Sequence, residues 1–353
     1  MPTTLDPIQY LRSRLQDCAR YSPTPDDLDF VKENGIEGFL YKTLLSKKFR
    51  KWKVSDEYSK DIHKQVEYVV ANKQPITGTW FFGGYKLWSL ASAPEVDWAE
   101  FFSIAYFLSY LAPIAALYPP GAKFEFWAAH ASIMQRQSNI APETCRIYRA
   151  SFAKLLDIFR PHLPENFKIE LHSFDELYPN EAEYQAELEP LIASMVRSYE
   201  AEWSPELKER KAKTSAMNIQ WPGAEDWTKL SEMDKQVKIR LGPIVHDGYC
   251  RLARINQAIR GPGKLDLSAT PLPSGSIPIG TASGSVTKFW TGLGVLEQKN
   301  GKFNERILSP QQIEEVKQIK HAEQVISLIP LKNFEMIRIY PELRFSNRSE
   351  SRD

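Results

Sequence analysis

Lys86 follows two glycines, in Gly83-Gly84-Tyr85-Lys86, and this short run is the first place where the sequence offers chemistry. Paired glycines let a backbone approach a ligand closely, and a lysine beside them can pair with phosphate or carboxylate. Held partly buried, the same lysine can lose its proton and form an imine with a carbonyl. The run is neither a Walker A loop, because no Gly-Lys-Ser/Thr follows, nor a Gly-x-Gly-x-x-Gly fingerprint. A little further on, Glu95, Asp97 and Glu100 crowd into Pro94-Glu95-Val96-Asp97-Trp98-Ala99-Glu100. Spaced three apart at the start of a helix, Asp97 and Glu100 share a face and can bind an ammonium group, hold a metal or act as a general base. Acids in a first helical turn also answer the helix dipole without any further role.

Other candidates are more scattered. His130 follows a predicted strand, in a position suited to acid–base work, although a lone histidine is more often structural. His246 begins a predicted helix carrying Arg251 and Arg254, whose shared face can clamp a phosphate or simply be solvated. In Ser283-Gly284-Ser285-Val286-Thr287-Lys288, small residues expose backbone N–H groups to an anion and Lys288 adds charge. Lys47, Lys48, Arg50, Lys51 and Lys53, with Phe49 and Trp52 between them, form a basic and aromatic cluster of the kind that holds single-stranded nucleic acid. In a chain of formal charge +1, one such cluster reads first as a solvated helix face.

The elements that must position these residues alternate in type. The chain to about Asn72 reads as helical. Ile76-Thr77-Gly78-Thr79-Trp80-Phe81-Phe82 is β-branched and aromatic and ends at the glycine pair, which predicts a strand and a tight loop. Further strands are expected at Lys123–Trp127, Phe167–Leu171, Lys264–Ala269 and Asn333–Tyr340. Helices are expected over Pro142–Phe159, over the charged stretch 181–220, and over Glu232–Arg240. Gly242-Pro243 reads as a break, with a further helix over Ile244–Ile259. Ser309-Pro310 opens a helix whose apolar positions Ile313, Val316, Val325 and Ile329 predict one buried face. A Gly/Ser/Pro-rich stretch from Pro271 to Gly284 is either a loop over a site or a surface connection. This alternation argues for an α/β fold, a mainly parallel sheet with helices on both faces, in one domain over 1–345 with a disordered tail at 346–353. Ligands then belong at the carboxyl ends of strands, after Phe82, Trp127 and Ala269.

Composition narrows the function classes. With 42% apolar and 25% charged residues in 353, the chain can bury a sizeable core and is not globally disordered. The near-neutral charge supplies no field that would draw nucleic acid or a membrane surface. Cys18, Cys145 and Cys250 are far apart and form no Cys-x-x-Cys or zinc-ligand spacing. Free thiols in a reducing, cytoplasmic setting follow, with no metal or cofactor expected. The start, Met-Pro-Thr-Thr-Leu-Asp, lacks the charged and apolar stretches of a secretory signal. Phe101–Tyr118 carries no charge, but Pro113, scattered hydroxyls and the absence of a close basic flank make it a core helix and not a membrane span.

Taken in order, these features resemble the isonitrile synthase family, whose bacterial members act on tyrosine or tryptophan and whose fungal relatives contribute to spore-wall pigments. The matching residues are Lys86 after a strand, then Asp97-x-Ala99-Glu100 opening a helix. Tyr118-Pro119-Pro120-Gly121-Ala122 leads into a strand, Tyr148 lies in the next helix, and Leu267-Ser268-x-x-Pro271 sits in the late strand. The chain departs from the family where Leu87-Trp88-Ser89 replaces Ser-Pro-Asn and Ala128-Ala129-His130 replaces Ser-Asp-Gly. It also has Ala269 and Thr270 where the family has a histidine. The resemblance implies a Rossmann-like fold and an enzyme that condenses an amino acid or similar amine with a phosphorylated sugar such as ribulose 5-phosphate. Lys86, Asp97 and Glu100 would then lie near the substrate, and on the chemistry of the residues themselves Lys86, Asp97, Glu100 and His130 are the expected catalytic residues. Gly83, Gly84, Tyr85, Glu95, Arg251, Arg254, Ser268 and Lys288 are expected at the substrate. The alternative, favoured by the departures, is a non-catalytic protein that binds a small molecule or a partner on the same fold, with nucleic acid the less favoured ligand.

Overall fold

The computed structural model describes residues 6–50, 52–86, 94–138, 140–219, 230–272, 274–280, 286–316, 319–343 and 345. Three helices come first, α1 (Pro7–Asp17), α2 (Pro25–Leu44) and α3 (Asp56–Ala71). They are capped by Asp6, Thr24 and Ser55, whose side chains accept from first-turn N–H groups. The expected strands and helices follow, with one helix, α5, that was not expected: β1 (Ile76–Phe82), α4 (Trp98–Leu117), β2 (Ala122–Ala128), α5 (Ala131–Ser138), α6 (Pro142–Phe159) and β3 (Phe167–Ser173). Then come α7 (Glu181–Ala201), α8 (Pro205–Ile219), α9 (Glu232–Tyr249), α10 (Ala253–Arg260), β4 (Lys264–Ser268) and a short β5 (Ile277–Pro278).

These five strands form one parallel sheet in the order β3-β2-β1-β4-β5. The chain leaves β1 toward β2 on one side and returns to β4 on the other, so the crevice between the ends of β1 and β4 is the topological switch point. Side chains alternate across the sheet. Phe124 and Phe126 point to one face, where they meet Phe107 of α4 and Phe152 of α6 with ring centroids at 4.7 and 5.0 Å. Trp127 points to the other, where it stacks on Phe174 at 5.2 Å, which in turn meets Tyr249 of α9. Both faces are therefore covered, as the near-continuous apolar strands require.

The strand expected at Asn333–Tyr340 belongs not to this sheet but to a second one, which was not expected. It contains β6 (Leu293–Lys299), β7 (Lys302–Leu308), β8 (Ala322–Val325) and β9 (Met336–Pro341), in the order β7-β6-β9-β8, with the short helix α11 (Pro310–Val316) after β7. Asn300 and Gly301 turn the β6–β7 hairpin with φ of 51° and 68°, the backbone that a two-residue turn of this hand demands. The helix α4 packs against β2 on one side and β6 on the other. It is long and apolar enough to cross a membrane, yet 72% of that stretch is buried inside the protein, so it serves as the core helix.

Two expectations about boundaries are corrected. First, Gly242-Pro243 does not end a helix: α9 runs through both to Tyr249, and the break falls at Cys250–Leu252. Gly242, Pro243, Ile244 and Val245 are all buried, so packing against α5 and α7 outweighs the ~3 kcal/mol that an interior proline costs. Second, the helix begun at Pro310 stops at Val316. Val325 lies in β8, so the helical spacing of apolar residues there was coincidental. The predicted tail at 346–353 lies outside the described residues.

Candidate functional site

The acids and lysine singled out from the sequence do meet, but inside the protein. Asp97 is the N-cap of α4: its Oδ1 accepts from Ala99 N–H at 2.6 Å, while Glu100 Oε2 accepts from Asp97 N–H at 2.8 Å. The Asp97/Glu100 spacing is thus a capping box. Lys86 Nζ bridges the two, at 3.0 Å from Asp97 Oδ1 and 2.8 and 2.9 Å from the Glu100 oxygens. Tyr148 of α6 donates to Glu100 Oε1 at 2.9 Å, and Gly294 N–H of β6 donates to Asp97 Oδ1 at 3.3 Å. Lys86 and Glu100 side chains are 2% and 0% exposed, too little for a solute to reach them without rearrangement.

The electrostatics follow from that burial. Loss of solvent pushes Glu100 up to about 7 even with Lys86 beside it, and Asp97 adds to the rise. Burial opposes the charge on Lys86, but Asp97 and Glu100 more than restore it and hold the ammonium above its ordinary value. A lysine so held is a poor imine former, because that chemistry needs the neutral amine. Asp97 Oδ2 has no hydrogen-bond partner among the described residues.

The open space lies elsewhere. A cavity of about 620 Å³ sits at the switch point, lined by the ends of β1 and β4 and by α9, α10 and α8. Of the expected residues, Gly83, Tyr85, Arg251, Ser268 and Lys288 line it. Lys86, Asp97, Glu100, Gly84, Glu95, His130 and Arg254 do not. Trp80, Phe81, Leu267 and Trp290 contribute apolar wall. Tyr85 is buried and held by its contact to Ser138, 3.4 Å away, with its phenol pushed up to about 12 by burial. Ser268 Oγ is committed to Thr270 O and Ser276 Oγ at 2.7 and 2.6 Å.

Several cavity residues carry no local signature in the sequence, because distant elements bring them together. Lys211 of α8 reaches Asp247 of α9 at 3.0 Å. Arg260 of α10 holds Asp266 of β4 through Nε and Nη2, at 2.8 and 2.6 Å. Burial pushes Asp266 up to about 6 against the pull of Arg260. His246 and Cys250 also line the cavity, one helical turn apart. Arg251, by contrast, is exposed and has no side-chain partner among the described residues.

The remaining candidates have structural employment. Arg254 forms no clamp with Arg251, because its guanidinium binds Glu187 at 3.0 Å, pairs with Glu183 and sits over the Tyr178 ring. His130 is stacked on Tyr184 at 4.0 Å and bonded to Ser132 Oγ at 2.8 Å, and burial lowers its pKa despite nearby Asp175 and Glu181. His246 ends α9 and does not begin a helix. Gly84 has a φ of 73°, and a Cβ there would lie 3.1 Å from that of Ala128. Glu95 offers its carbonyl to Asn333 at 3.3 Å. In the basic cluster, Phe49 is buried against Tyr106 and Tyr110, so it presents no ring for base stacking.

Glu125, Glu170 and His172 bring potential metal ligands within 4.8 Å of one another. Lys123 already bridges the two carboxylates at 2.9 and 2.7 Å, and Lys264 binds Glu125 at 2.8 Å. The group is thus an internally neutralised ion-pair network, and a cation would have to displace lysine to enter it.

No family model matches the chain, and no curated protein matches its sequence. The crystal structure of the PvcA protein from Pseudomonas aeruginosa is similar, with a TM-score of 0.59 across 87% of this chain and 99% of that chain. Identity over that alignment is 15%, so the likeness is one of fold.

Proposed function

We propose that the chain is an isonitrile-synthase-like enzyme whose switch-point cavity receives a phosphorylated sugar such as ribulose 5-phosphate beside an amino acid or similar amine. The observation that carries this reading is Arg251, a permanently charged fork with no side-chain partner among the described residues. In the same cavity Lys211 and Arg260 are already paired with acids. A guanidinium so placed matches a phosphate through two parallel hydrogen bonds. The apolar wall of Trp80, Phe81 and Trp290 suits an aromatic amino acid, and Asp247 and Asp266 offer carboxylate oxygen to its ammonium group. With its carboxyl near 6, Asp266 can exchange a proton close to neutral pH, as bringing the amine to the sugar ketone requires.

In this reading Lys86, Asp97, Glu100 and Tyr148 are positioning residues that hold the start of α4 beside the end of β1. Gly83, Tyr85, Ser268 and Lys288 face the ligand beside Arg251. The three free thiols accord with a cytoplasmic setting. Incubation with tyrosine or tryptophan and ribulose 5-phosphate, followed by mass spectrometry, tests the reaction. An isonitrile product that disappears in Arg251→Ala supports it.

The sealed Lys86–Asp97–Glu100 cluster favours a second reading, a binding protein on the same fold without the chemistry. Tight ribulose 5-phosphate binding with no product from any amino acid would select it.

A further inference from the structure

We propose that Cys250 and His246 form a nucleophilic thiol–imidazole pair in the switch-point cavity, and that its target is the carbonyl carbon of the bound ligand. The target rests on the reading above, but the pair itself stands on its own geometry. His246 and Cys250 are four apart at the end of α9, so one helical turn sets them on the same face. His246 Nε2 lies 3.6 Å from Cys250 Sγ, within contact range for a sulfur hydrogen bond, and both residues line the cavity. Neither is sealed, in contrast to Cys18 and Cys145, which are 4% and 0% exposed.

Basic side chains stand beside the pair. Arg251 follows directly and has no competing side-chain partner among the described residues, while Lys211 of α8 lines the same wall. Asp247, the acid nearest in sequence, is held by Lys211. Cys250 raises the pKa of His246 against the effect of burial, the direction expected when imidazolium faces sulfur. A thiol beside a base or a cation is the arrangement that makes cysteine reactive.

The step needs no other reactant. His246 Nε2 takes the S–H proton, and sulfur forms a bond to the carbonyl carbon. The carbon–oxygen π bond opens to an alkoxide, which receives the proton back from His246. The sum is reversible addition of S–H across C=O to a thiohemiacetal or thiohemiketal, with nothing oxidised or reduced. Such a bond would hold a sugar by its carbonyl carbon while Arg251 holds its phosphate.

Two measurements test the pair. In the first, iodoacetamide alkylation of the native protein is followed by peptide mapping. Cys250 should react about tenfold faster than free cysteine at neutral pH, lose that advantage in His246→Gln, and leave Cys18 and Cys145 unmodified. A Cys250 rate equal to that of free cysteine, or unchanged in His246→Gln, overturns the inference. In the second, carbonyl-carbon-13 glycolaldehyde phosphate is observed by NMR with wild type and Cys250→Ser. A protein-bound thiohemiacetal carbon should appear in wild type only; spectra that do not differ overturn the covalent role. Ribulose 5-phosphate binding separates the two readings. If Cys250→Ser still binds it and wild type forms no adduct, this inference fails and the cavity reading stands. If wild type does not bind it while alkylation is fast and depends on His246, the cavity reading fails and the reactive pair stands.

Discussion

Lys86 Nζ lies 2.8 Å from Glu100 Oε2, so the lysine that leaves β1 closes the first turn of the core helix α4. That contact ties the sheet to the helix packed on it, and through Gly294 it ties both to β6 of the second sheet. Two carboxylates share one ammonium there, which leaves one negative charge to be compensated when both are ionised.

Lys86→Met should therefore destabilise strongly, because it strands two buried acids. We expect a loss of about 3–5 kcal/mol by chemical denaturation, the range for breaking one side of a buried ion pair. Tyr148→Phe, which removes only a donor to Glu100, should cost about 1–3 kcal/mol. Equal and small effects from both would show that the cluster is not tightly formed.

Stability should carry an unusual pH signature. Glu100 is pushed up from an unfolded value near 4.5 to about 7, so the folded state binds the extra proton. Its contribution is fully present below 4.5 and is lost as pH rises toward 7. His130 acts in the opposite sense. Its pKa is lowered from 6.5 by burial, so its contribution is present above 6.5 and is lost as pH falls below that value. Urea unfolding between pH 4.5 and 8 should show wild type losing stability relative to Glu100→Gln as pH rises. It should gain relative to His130→Phe over the same change.

His130→Phe should leave ligand affinity within a factor of about two, because the ring stacks on Tyr184 and does not line the cavity. A loss of binding without a loss of stability would return His130 to the site.

Gly294→Ala tests the link between the two sheets. A Cβ at this position would lie 2.2 Å from the Trp98 backbone carbon, so β6 would have to move off the start of α4. We expect a loss of about 3 kcal/mol or more in denaturant unfolding, with the Gly294 N–H contact to Asp97 broken.

The sequence carried the first sheet well and the site only in part. Runs such as Thr79-Trp80-Phe81-Phe82 and Phe124-Glu125-Phe126-Trp127 mark central strands because burial on both faces demands apolar residues throughout. The β6–β7 hairpin had a usable signal in Asn300-Gly301, flanked by Val295, Leu296, Phe303 and Ile307. Lys86, Asp97 and Glu100 are legible because they lie close in sequence, while the capping box they build at the start of α4 shows only in the fold. Lys211, Asp247, Arg260 and Asp266 were not found, since only the tertiary fold sets α8 against α9 and α10 beside β4. Arg254 resembled Arg251 until Glu183 and Glu187 were seen to claim it.

Arg251 would make the switch-point cavity a phosphate site, and calorimetric titration is the measurement that decides this. Wild type should bind ribulose 5-phosphate and bind ribulose far more weakly. Arg251→Ala should lose roughly 10- to 100-fold in affinity for the phosphorylated sugar, the worth of a charge-assisted pair, with unchanged unfolding stability. Equal affinity for the two sugars, or an Arg251→Ala protein that binds ribulose 5-phosphate as wild type does, would show that Arg251 holds no phosphate.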